Sequence, residues 1–293
     1  MKAKVIGAMV AVLMAGGMAD TARAEDFILT GIQELTVNIA YGNGTLYDQS
    51  KAWVVSDGLM NNLYAYNSST VGISGGLMSY LYAYNSSTVG ISGGSLYNLN
   101  AYDSSTVEIS GGGAYGLQAH GSSTVNITSD GGVRFLDPYD SSTVTLSGGS
   151  VKHISARDSC TMEISGGKVN NDLDAYNSSN VTISGGTVAG LVVHDSSTVT
   201  ISGGQVGLLY IYETSTVAFD GQDFILGTGL SLDGDRVLGT GVLSGKWFGG
   251  TAWTVNISAN DPGATILAIP EPATMSLLGL GGLAMLRRRR RMA

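Results

Sequence analysis

The chain has 293 residues, of which 43 are glycine and four are proline, and 13% of its side chains are charged. Glycine does not fall at every third position and proline is scarce, which excludes a collagen triple helix and proline-rich disorder. The net charge of −8 argues against nucleic acid or anionic membrane as a partner, and the single cysteine, Cys160, leaves no intrachain disulfide.

Residues 1–24 read as a signal peptide. Lys2 and Lys4 form a positive start, residues 5–18 are apolar, and Ala22-Arg23-Ala24 is a small-residue cleavage site before Glu25. That order makes signal peptidase the first processing partner. Residues 25–60, which include the degenerate unit "LYDQSKAWVVSDG" at 46–58, read as an N-terminal cap and first coil.

Residues 61–220 repeat. Ser-Ser-Thr and its variants begin at Ser68, Ser86, Ser104, Ser122, Ser141, Ser159, Ser178, Ser196 and Thr214, always 18 or 19 residues apart. Residues 63–76 and 81–94 are identical, which suggests a recent duplication. The consensus is L-x-A-Y-[ND]-S-S-T-V-x-I-S-G-G-x-V-x-x. Leu63 with Ala65 and Val71 with Ile73 alternate with polar neighbours, the period of half-buried strands. Asn-Ser-Ser and Gly-Gly are turn chemistry between strands. A fixed period near twenty with no helical pattern predicts an all-β solenoid, a parallel β-helix in which like residues stack from coil to coil. About ten coils at ~4.8 Å predict a rod of ~48 Å. The left-handed variety wants an aliphatic residue every six. Counting in sixes from Leu63 reaches Ser69 and Gly75, which favours the right-handed form.

Residues 221–268 lose the period but keep β alternation and read as a C-terminal β cap. Residues 269–293 are different again. Pro270-Glu271-Pro272-Ala273-Thr274 precedes a short apolar segment at 275–286, followed by Arg287, Arg288, Arg289, Arg290 and Arg291. Twelve residues fall short of the ~20 that cross a bilayer comfortably, and the arginines stay on the cytoplasmic side. The segment therefore reads as a temporary stop, a short transmembrane sorting helix. This tail resembles the PEP-CTERM sorting signal. The resemblance implies cleavage by an exosortase of a Gram-negative bacterium, transient inner-membrane anchoring, and delivery to the cell surface or an exopolysaccharide-rich matrix. Without both terminal signals, residues 25–272 hold 22 acids against 7 bases, a composition suited to a soluble surface protein.

The most site-like feature is the fourth consensus position, which holds Tyr66, Tyr84, Tyr102, His120, Tyr139, Arg157, Tyr176, His194 and Tyr212. The second position is mostly polar, so both face outward. Ring faces repeating at ~4.8 Å could stack on sugars, as they do on bases, or simply stabilise the sheet. His120 and His194 stand four coils apart, too far to share a metal, and no metal or cofactor is expected. Asp103, Asp140, Asp158 and Asp195 occupy the Asn/Asp turn position, where Asx turns explain them. The pairs Asp172/Asp174 and Asp137/Asp140 have no partner base in register. Cys160 stands where other repeats have serine and reads as drift of a small residue. The expectation is an exported, non-catalytic, structural or adhesive β-solenoid. The alternative is a polysaccharide-active β-helix lyase or glycoside hydrolase, for which acids clustered against the repeat would speak.

Overall fold

Alternation of small and branched apolar residues with polar ones sets every coil. In one coil Ser87, Val89, Ile91, Leu96, Leu99 and Ala101 are all buried, five of them on the strand Thr88–Ala101. The computed structural model describes residues 25–269; the signal peptide at 1–24 and the sorting residues from Pro270 onward lie outside the described residues. Thr88–Ala101 pairs in parallel with Thr70–Ala83 on one side and Thr106–Ala119 on the other. Val71, Val89 and Val107 align, as do Ile73, Ile91 and Ile109, and Leu81, Leu99 and Leu117. Full burial of one such side chain contributes about 1.5–3 kcal/mol. No coil can bury its apolar edge alone, so each is stable only between neighbours.

The described residues form an all-β solenoid without helix, of about 11 turns. The sequence period shows about ten. The first coil was hidden because its corner is Gly31-Ile32, with no Ser-Ser-Thr. A residue in the left-handed region marks the same corner eleven times, from Gly31 (φ 66°) to Glu213 (φ 62°). Asn, Asp and Gly dominate this column because they tolerate that region.

Their side chains have a second use that an Asx turn does not describe. Each reaches back to the preceding coil: the N–H of Asn85 donates to the Asp103 carboxylate at 2.9 Å, that of Gly121 to Asp140 at 2.8 Å and that of Asn177 to Asp195 at 2.7 Å. The acids at this corner are thus coil-to-coil clamps.

The Gly-Gly corner is set by close backbone approach. Gly94 has φ 77°, and a Cβ there would come within 2.6 Å of the Gly75 carbonyl oxygen. Coils of 19 residues absorb their extra residue without disturbing the interior. One places it at the corner containing Ser129 (φ 44°). Another takes it up between Val169 and Asp172, where the register shifts.

After Asp220 the chain leaves the coil path. Gln222–Leu226 pairs antiparallel with Gly241–Lys246, which pairs antiparallel with Ala252–Asn260. Ala252–Asn260 and Thr265–Ile269 then return to the coil direction, parallel to Thr198–Ile211 and Thr216–Asp220. Trp253 lies between Phe219 (5.1 Å) and Trp247 (4.8 Å), so the core ends under aromatic cover with its edge paired. Among the described residues no helix is long and apolar enough to cross a membrane.

Candidate functional site

The fourth-position residues come together as one row on the outer face of the strands that carry Leu-x-Ala. Ring centroids are 4.9 Å apart for Tyr66–Tyr84 and Tyr84–Tyr102, 5.0 Å for Tyr102–His120, 4.7 Å for His120–Tyr139, 4.9 Å for Tyr176–His194 and 5.0 Å for His194–Tyr212. Arg157 fills the remaining place, with its guanidinium 5.6 Å from both the Tyr139 and Tyr176 rings. Tyr47 adds a tenth member, 5.2 Å from Tyr66; it sits in the degenerate unit, where its column could not be assigned from the repeat.

This geometry corrects one part of the sequence expectation. The rings are near-parallel, at interplanar angles of 3° to 15° along the row, and each covers its neighbour's face. The coil repeat equals the stacking distance, so ring faces are consumed within the row and edges and hydroxyls point out. Each stacked pair contributes about 0.5–1.5 kcal/mol beyond its buried area. Burial raises the Tyr84 phenol above its usual pKa, helped by the neighbouring Tyr102 and Tyr66 phenols.

The second-position residues turn outward as expected, but Asn100 and Ser155 are nonetheless buried. Around Ser155 the repeat breaks. His153 Nε2 lies 3.5 Å from the Asp174 carboxylate and 3.4 Å from the Ser155 hydroxyl. Asp174 therefore does have a base beside it, against the sequence reading. The repeat did not show the pair because the contact is diagonal: Ser155 stands opposite Asp174, and His153 reaches across from two residues earlier on the same face. Asp137 lies on the same face. Burial raises its pKa, opposed by Arg157 and His153. Burial also raises that of Asp174, opposed by His153.

These shifts have a pH consequence. A folded-state pKa above the reference of 3.8 means that ionisation of Asp137 opposes folding. Stability rises as pH falls through the folded pKa toward 3.8, and that gain is absent at neutral pH. Asp137→Asn is expected to raise the thermal midpoint at pH 7 and to flatten its dependence in the mildly acidic range. An unchanged slope between pH 7 and pH 4 would contradict this.

The second serine of each Ser-Ser-Thr is fully buried, from Ser50 to Ser215. Sequence reasoning placed it in the turn; its signal is parity, since Ser69 lies two residues before inward Val71. The hydroxyl of Ser215 donates to the Tyr212 carbonyl at 2.6 Å. Cys160 occupies this inward column, and burial pushes its thiol up to about 11. That makes it a packing residue rather than a nucleophile.

The family model of the PEP-CTERM protein-sorting motif matches residues 268–291. The match contains Pro270, Glu271, Pro272, Ala273 and Thr274 and the five arginines, all outside the described residues. Nothing matches the chain among curated proteins or solved structures. A sorting motif of this kind implies export, processing by an exosortase and sorting toward the cell surface.

Proposed function

We propose that this chain is a non-catalytic, exported rod that serves as a structural or adhesive component of a Gram-negative cell surface or extracellular matrix, in association with exopolysaccharide. One observation carries the reading: the ring-and-guanidinium row runs through ten successive coils, from Tyr47 to Tyr212. Outward side chains committed to holding coil on coil favour a stiff, persistent body. The sorting motif supports an exported location, and the acidic composition of the exported part suits solubility there. Row edges and hydroxyls, such as those of Tyr66, Tyr84 and Tyr102, offer hydrogen bonds to a polysaccharide.

Asp137, His153 and Asp174 favour a second reading, a polysaccharide-cleaving enzyme, because paired carboxylates with raised pKa are the groups such chemistry uses. One assay separates the two. The exported protein is incubated with the producer's own polysaccharide, and both co-sedimentation and released chain ends are measured. The expected result is co-sedimentation with no reducing or unsaturated ends. Released ends that disappear in Asp137→Asn and Asp174→Asn would establish the enzyme instead; a protein that neither sediments nor cleaves would remove the polysaccharide association.

A further inference from the structure

The one indole on the outer surface of the coil strands is Trp53, on Lys51–Val54. In the next coil Gly72 stands directly opposite it, and a Cβ on Gly72 would run into the Trp53 ring. The indole therefore lies down over Gly72. Its N–H donates to the Glu34 carboxylate, which fixes its rotation. The residue keeps 36% of its surface exposed, and no other ring among the described residues stacks on it, unlike the rings of the tyrosine row.

The same column continues through Gly90, Glu108 and Asn126. A Cβ at Gly90 would meet nothing within 4 Å, so the floor drops there. The result is a trough of about 580 Å³ beginning at Trp53 and reaching Asn126. Four coil steps make it ~19 Å long. Hydroxyls line its sides, among them Thr88, Ser92 and Ser110. Glu108 is its only charged group, and no lysine or arginine lines it.

We infer that this trough binds a segment of a neutral glycan chain. A pinned aromatic face receives the apolar C–H face of a pyranose. Hydroxyls and the Asn126 amide exchange hydrogen bonds with its hydroxyl groups, and Glu108 accepts from them. A polyuronate is disfavoured, since its carboxylates would meet Glu108 with no cation to pair them, on a strongly acidic protein. The inference deepens the matrix reading and rests on it.

The test is affinity electrophoresis of the exported protein in gels containing hydroxyethylcellulose, a galactomannan, polygalacturonate or the producer's polysaccharide. At least one neutral polymer and the producer's polysaccharide should retard the protein, and polygalacturonate should not. Trp53→Ala should weaken that retardation at least tenfold. Gly90→Gln should do the same by filling the floor. It is fold-safe, because Glu108 and Glu163 occupy equivalent places on the same strand face and the site is open; an unchanged thermal midpoint checks this. Retardation by the producer's polysaccharide that both variants retain overturns the trough and leaves the matrix reading standing. Retardation by polygalacturonate, or by no neutral polymer, overturns the ligand class. No retardation by the producer's polysaccharide removes the matrix association itself.

Discussion

Replacing Ile183 with aspartate is expected to unfold the middle of the rod. Ile183 is fully buried and stands in register between Ile164 and Ile201. The substitution removes a stacked apolar side chain, a loss of about 2–5 kcal/mol. It also places a carboxylate with no cation beside it in an apolar column, which adds several kcal/mol or forces it to stay protonated. Loss of one coil exposes the apolar edges of two others, so damage spreads along a solenoid. Thr182→Asp, one residue away, changes an outward position. Its cost should be about 1 kcal/mol or less, mostly from facing Glu163 in the preceding coil. Guanidinium unfolding followed by circular dichroism separates the two variants. Equal midpoints would mean that inward and outward have been assigned the wrong way round.

That pair of variants also marks what the sequence makes legible. Valine, isoleucine and leucine columns follow from period-two alternation, because a strand with one buried face turns every second side chain into the core. The left-handed corner follows from its asparagines and aspartates. Glu213 keeps the same φ without being a residue that favours it, which shows the neighbouring coils imposing the corner. What stayed hidden depends on register between distant residues. His153 and Asp174 meet as a diagonal pair, because Ser155 stands opposite Asp174 and His153 lies two residues before Ser155 on the same face. Trp53 looks like a stray aromatic in a degenerate unit until Gly72 is found opposite it, 19 residues on. The tyrosine column was legible as a row, but the repeat does not say which way the rings turn. The coil spacing decides that, and it turns them onto one another.

Removing the sorting function of the tail is expected to abolish release of the rod from the membrane. The last described strand, Thr265–Ile269, pairs through Ile269 with Asp220, and the Gly221 N–H donates to the Ile269 carbonyl at 3.2 Å. Pro270 follows at once and has no N–H to extend a sheet. The folded rod thus ends directly against the motif, and cleavage near Pro270-Glu271-Pro272 would free it with little tail. The apolar segment at 275–286 has twelve residues, four of them glycine or serine, against the ~20 needed for a comfortable span. It is therefore suited to holding the protein briefly. In that role the five arginines at 287–291 would resist translocation and fix the pause. In a host with an exosortase, the surface-located protein should lack Arg287 through Arg291 by mass spectrometry. With Glu271→Ala, or in a host without the enzyme, signal-peptide removal should proceed while the C-terminus stays intact and the protein sediments with membranes. Surface-located protein that still carries its terminal arginines would show that the tail is not the processing signal.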